Sequence, residues 1–159
     1  MSGAPSWQAL ELKIPPPVFA ALVGVAMWAI SRIAPSIDAP GPARTVVAAI
    51  LALAGGLFVI AGMVSFALAR TTINPLKPET TTYLVRSGVY RVSRNPMYVG
   101  LLFFLAGWAV YLASAWSLIG PVALVLFLNR FQIAPEERAL SALFGAEYAD
   151  YASKVRRWL

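Results

Sequence analysis

Cysteine and histidine are both absent from the 159 residues. Without cysteine there is no disulfide and no thiol nucleophile. Without histidine there is no imidazole base, no Ser-His-Asp triad and no usual metal ligand, so no metal site is expected. Acid is scarce as well, with 7 Asp and Glu against 13 Lys and Arg. Charged residues of both signs make up 13% and hydrophobic ones 59%, against about 25% and about 45–50% in soluble domains. That balance is the balance of an integral membrane protein. The net charge of +6 would suit nucleic acid, but the basic residues flank apolar runs instead of forming a stripe. Anionic lipid headgroups are therefore the expected partner, and nucleic acid is not.

The length fits one domain, 1–159. The longest gap in charge lies between Arg94 and Arg130, and its apolar part, 97–128, is 32 residues without Asp, Glu, Lys or Arg. At 1.5 Å per residue it is about 48 Å long, too much for one crossing of a core about 30 Å thick. Ser114, Ser117 and Gly120-Pro121 offer a break, which predicts a tight hairpin of helices over roughly 96–113 and 116–131. The run 45–69 is uncharged for 25 residues and reads as a span, with Ala52 and Gly56 forming a small-xxx-small packing face. Residues 18–30 are apolar after Pro15-Pro16-Pro17, and with those prolines and Ile14 the segment 14–30 reaches 17 residues, the short end for a span. A signal peptide is the rival reading of that segment, disfavoured because no small-residue cleavage site follows. Residues 1–13 read as disordered or interfacial. Finally, 135–155 places Leu140, Leu143, Phe144, Tyr148, Tyr151 and Val155 on one helical face, as expected of an amphipathic helix on a membrane surface. The predicted fold is all-α and polytopic, with about four transmembrane helices and a C-terminal amphipathic helix.

With four spans, the N-terminus, the 70–95 loop and the C-terminal tail share one side. Eleven of the thirteen basic residues fall there, against Arg32 and Arg44 opposite. The positive-inside rule makes that side, with both termini, cytosolic.

Two polar clusters are thereby brought to one interface. The first is the tract 88–100, with Gly88, Tyr90, Arg91, Arg94, Asn95, Pro96, Tyr98 and Gly100; the second is Glu136-Glu137. The plain account of the arginines is snorkelling to phosphates, of the tyrosines interfacial anchoring, and of Gly100 and Gly107 helix packing. Pro96 sits where a helix begins, with Asn95 at its N-cap. The glutamates would stabilise a helix start by about 0.3–1 kcal/mol each. Adjacent helix positions point about 100° apart, so one glutamate is expected to cap while the other turns toward Arg94 or a ligand cation.

The tract 88–100, the apolar hairpin, then Arg130, Glu136-Glu137-Arg138, Leu140, Phe144-Gly145, Tyr148, Tyr151 and 155–158 together resemble the isoprenylcysteine carboxyl methyltransferase and phospholipid methyltransferase superfamily. The resemblance covers roughly 70–159 and makes that part a catalytic core, with 1–69 as N-terminal helices. It implies an S-adenosylmethionine-dependent membrane enzyme that methylates a lipophilic or membrane-partitioned carboxylate, thiol or amine. It also implies a cofactor pocket formed by Tyr90, Arg94, Pro96, Tyr98, Gly100, Glu136 and Glu137, with Arg94, Asn95 and Glu137 at the reacting end. Asn95 departs from the pattern: many members carry His there, and Asn is no base near neutral pH. Two other readings stand beside this one, a non-catalytic membrane scaffold and a nicotinamide-dependent membrane reductase.

Overall fold

Proline opens three of the long helices in the computed structural model, which describes residues 10–69 and 77–159. Helix α1 is Pro16–Ser31, α2 is Gly41–Leu68 with Pro42 in its first turn, and α3 is Pro96–Leu112. At a helix start the missing proline N–H costs nothing, since that amide has no intrahelical acceptor. α3 ends at Ala113, whose φ of +47° turns the chain back. The chain then runs as one 30-residue helical rod, Ala115–Phe144. This rod comprises a 3-10 turn, α4 (Ile119–Phe127), a π-helical stretch (Leu128–Ile133) and α5 (Ala134–Phe144). A last helix, α6, covers Ala146–Lys154. All regular structure among the described residues is helical.

Of these, α2 and the rod 115–144 are long and apolar enough to cross a membrane, while α1 and α3 are apolar but shorter, at 16 and 17 residues. The expected hairpin is present, with its break at residues 113–114. The expected break near residue 132 is not. Pro135 continues the rod although it has no N–H and its ring crowds the carbonyl of Phe131 four residues earlier. The π-helical turns directly before it open the backbone and absorb that conflict. The interruption falls instead at Gly145, whose φ of +50° and ψ of −120° lie outside the range of other residues. The predicted single helix over 135–155 is therefore two helices at an angle. Its apolar face turns inward: Tyr148, Tyr151, Leu140, Phe144 and Val155 pack on Leu84 of the preceding loop, and only Leu143 stays outside. Gly145→Ala has open space for its methyl group, so the cost is backbone strain alone, about 1–3 kcal/mol. A thermal melt in detergent should show that loss.

α2 and α3 lie against each other along glycines. A Cβ on Gly100 would stand 2.5 Å from Val59 Cγ2 and 2.7 Å from the Gly55 carbonyl oxygen, and one on Gly107 would stand 2.9 Å from the Ala48 oxygen. The small-residue face actually used holds Gly55 and Gly62, not the expected Ala52–Gly56 pair, because Gly56 has nothing within 4 Å. On the other side of α3, the Trp108 indole donates to the Gly24 carbonyl at 3.0 Å. Met27 of α1 fits over Gly120, and Phe19 stacks on Phe127 with centroids 3.6 Å apart. The core between α1, α3 and α4 holds Met27, Tyr98, Leu105, Leu124, Leu128 and Ile133.

The expectations for residues 1–9 and for the start of the loop, 70–76 with the basic Arg70, lie outside the described residues. Residues 10–13, also expected to be loose, are docked. Glu11 pairs with Arg130 at 2.7 Å and with Arg138, and the Leu12 amide donates to the Phe131 carbonyl at 3.0 Å. Burial works to raise the Glu11 carboxyl pKa, but the two guanidiniums win and hold it below its ordinary value.

Candidate functional site

A cavity of about 260 Å³ opens at the end of the bundle where α1 and α3 begin and α2 ends. Pro17 and Phe66 contribute from α1 and α2, Leu84 and Tyr90 from the loop, and Tyr98 from α3. The rod supplies Glu136 and Glu137, and α6 supplies Tyr148 and Tyr151. The walls are mostly apolar, so the few polar groups in them stand out.

Those groups form two linked sets. Glu137 accepts from Arg94 at 3.0 Å and from Arg157 through Nε at 3.1 Å and Nη2 at 2.5 Å. The hydrogen bond to Glu137 raises the Arg157 pKa, against the opposing effect of burial. Among the described residues Glu136 is served by neutral donors: the Tyr98 hydroxyl and the Gln132 amide both reach its Oε1 at 2.6 Å. Neither glutamate caps a helix, because the helix passes through Pro135 and leaves no free N-terminus there. The expected division of labour thus gives way to a different one, in which both face the cavity with different partners.

Local structure explains the aim of each side chain. Residues 93–95 are clamped by the C-terminal tail. The Arg94 amide donates to the Arg156 carbonyl at 2.9 Å, and the Asn95 amide group donates to the Arg157 carbonyl at 2.9 Å. Asn95 does occupy the N-cap position of α3, but its side chain makes no capping bond and serves this clamp instead. The clamp leaves Arg94 Nε buried with no hydrogen-bond partner among the described residues. A buried donor of this kind calls for an acceptor. Tyr90 is buried edge-on to Phe66, and its carbonyl accepts from the Tyr151 hydroxyl at 2.7 Å.

Burial raises the pKa of Tyr90 and of Tyr151. Burial first, then the nearby Glu137 charge, pushes Tyr148 up to about 12. These three phenols are therefore neutral near pH 7. They offer aromatic faces and hydroxyls, not phenolate bases.

Of the residues expected at the site, Tyr90, Arg94, Asn95, Tyr98, Glu136 and Glu137 line this one cavity. Pro96 and Gly100 do not. Gly100 faces α2, and Pro96 is buried near Gly62. Their geometry is that of helix packing. Gln132, Arg157, Tyr148 and Tyr151 join the site without having been singled out for it. The two tyrosines carried a signal, since they share the apolar face of 135–155. Gln132 carried one too, as an amide between Phe131 and Ile133 and four residues before Glu136.

The phospholipid methyltransferase family model matches residues 43–147. An uncharacterized protein of Haemophilus influenzae is 44% identical over 63 residues, 40% of this chain and 100% of that protein. The protein-S-isoprenylcysteine O-methyltransferase of Saccharomyces cerevisiae is 35% identical over 114 residues, covering 64% of this chain and 45% of the yeast protein. A probable protein-S-isoprenylcysteine O-methyltransferase of Oryza sativa is 42% identical over 79 residues, 48% of this chain and 40% of the plant protein. The chain spans about half or less of the length of these named methyltransferases.

Proposed function

Because this chain belongs to the phospholipid methyltransferase family, we propose that it is an integral membrane enzyme transferring a methyl group from S-adenosylmethionine to a lipophilic acceptor. In this reading α1, α2, α3 and the rod are four spans and the cavity faces the cytosol. Residues 70–159 carry the chemistry, and 1–69 supply supporting helices. One observation carries the proposal. Arg94 and the two glutamates come from opposite ends of a long apolar hairpin, and they line a single cavity with five tyrosines.

The lining suits the cofactor group by group. Arg94, with its buried Nε lacking a partner among the described residues, fits a carboxylate. Glu136 and Glu137 fit an ammonium group. The faces of Tyr90, Tyr98 and Tyr148 fit an adenine or a sulfonium, a cation–π contact worth about 0.5–2 kcal/mol. When bound, S-adenosylmethionine supplies a methyl group already activated on sulfur. The chain's own work is then to hold donor and acceptor in line and keep water out, and such positioning can supply about 7–11 kcal/mol. Asn95 serves by hydrogen bonding, holding the tail against Arg94. The acceptor class open to this site is a carboxylate, thiol or amine on a membrane-partitioned molecule.

Labelled S-adenosylmethionine should bind the detergent-purified protein saturably and be displaced by S-adenosylhomocysteine. Arg94→Ala should weaken that binding by about 10–100-fold, the equivalent of about 1.5–3 kcal/mol for a hydrogen bond to a charged group. No saturable binding to folded wild-type protein would refute the proposal. Incubation with lipid extracts and product analysis then identifies the acceptor.

A further inference from the structure

We infer that Glu11 is a positioning residue: the segment 10–13 is a strap that fixes the π-helical turns of the rod and so sets where Gln132 and Glu136 point. The consequence for cofactor binding rests on the function proposed above. The effect on the rod does not.

The reasoning begins with Pro135. It lacks the N–H that an α-helix would send to the Phe131 carbonyl, and its ring crowds that same carbonyl. The helix answers with the π stretch Leu128–Ile133. Such a widened turn carries its own liability, because a carbonyl without its α-helical donor must find another. Here the donor comes from outside the helix: the Leu12 amide reaches the Phe131 oxygen at 3.0 Å. To deliver it, Leu12 adopts φ +56°, a conformation that a side chain disfavours and that surrounding contacts must hold in place.

Glu11 supplies those contacts. Its carboxylate pairs with Arg130 inside the π stretch, at 2.7 Å, and with Arg138 two turns later. The two arginines bracket Gln132 and Glu136, the residues whose mutual 2.6 Å hydrogen bond presents the carboxylate to Tyr98. A single side chain thus spans the segment from both ends, while the neighbouring amide caps the Phe131 carbonyl beside Arg130. Glu11 is shielded at its own end, its side chain 13% exposed, while Arg130 and Arg138 are 37% and 60% exposed, so water reaches these pairs from the arginine side. Glu11 touches nothing in the cavity. Its influence passes through the helix.

Hydrogen–deuterium exchange of the full chain in detergent tests this directly. In Glu11→Gln the amides of 129–137 should exchange about fivefold faster, with α2 and α3 unchanged. The affinity for S-adenosylhomocysteine should fall about fivefold while the melting temperature holds. Arg138→Gln, which removes one of the two pairs, should produce a smaller change of the same kind. Unchanged exchange over 129–137 in both variants would overturn the inference. A uniform rise across all helices with a lower melting temperature would overturn it too, since that marks general loosening. If the wild-type protein binds no S-adenosylhomocysteine, the proposed function fails, and the exchange measurement still decides the strap.

Discussion

Glu137→Ala is expected to lower stability by about 2–3 kcal/mol and to abolish measurable cofactor binding. The carboxylate neutralises Arg94 and Arg157 together, so removing it leaves two guanidiniums facing each other beside an apolar cavity. Breaking a fully buried pair costs about 3–5 kcal/mol. The figure here is lower because Arg157 is 39% exposed and water screens that side. The damage also spreads. Arg157 leads the tail whose carbonyls hold Arg94 and Asn95, so freeing it loosens the clamp that aims Arg94. Glu137→Gln keeps the shape and some hydrogen bonds and should fall between alanine and wild type. Melting curves and ligand titrations of the three proteins decide it. Equal melting and binding in wild type and Glu137→Ala would show that the carboxylate holds nothing together.

The second large effect is steric. Gly100→Val should prevent α3 from seating on α2, seen as aggregation or a sharp fall in melting temperature in detergent. Even alanine places its Cβ 2.7 Å from the Gly55 carbonyl oxygen, and a backbone atom cannot swing aside as a side chain can. Overpacking of this kind costs about 1–3 kcal/mol and more when nothing relaxes. Gly56→Ala is the matched comparison, one residue along from Gly55 with nothing within 4 Å. It should be neutral or stabilising by up to about 1 kcal/mol, through helix propensity alone. Similar losses in the two variants would mean that the glycine seam is not what brings these helices together.

Much of this was legible in the sequence because charge is so rare in it. The empty stretch 97–128 is too long for one helix and too apolar for water, so it returns on itself and brings 88–100 close to 136–137. What the pattern concealed follows from local backbone chemistry. Pro135 reads as a helix break, and would be one if the π-helical turns and the Leu12 amide did not accommodate it. Gly56 and Gly55 are equally small in a sequence, and only the rotation of α2 decides which one meets α3. Asn95 reads as a cap, yet its side chain goes to a tail that lies 62 positions away. Gln132 is an i,i+4 neighbour of Glu136 and so was within reach of local spacing, whereas the role of Arg157 depends on Glu137, 20 positions away, which no local spacing encodes.

The widened turns at Leu128–Ile133 act as a phase offset in the rod. Each residue of an α-helix advances its successors by about 100° around the axis. Restoring regular winding there with the residue count unchanged would rotate both carboxylates away from Tyr98 and Arg94 without altering either of them. The aim of the acidic pair is therefore stored in the count of residues between the hairpin bend and Pro135, so an insertion or deletion in that interval matters more than most exchanges of side chain within it.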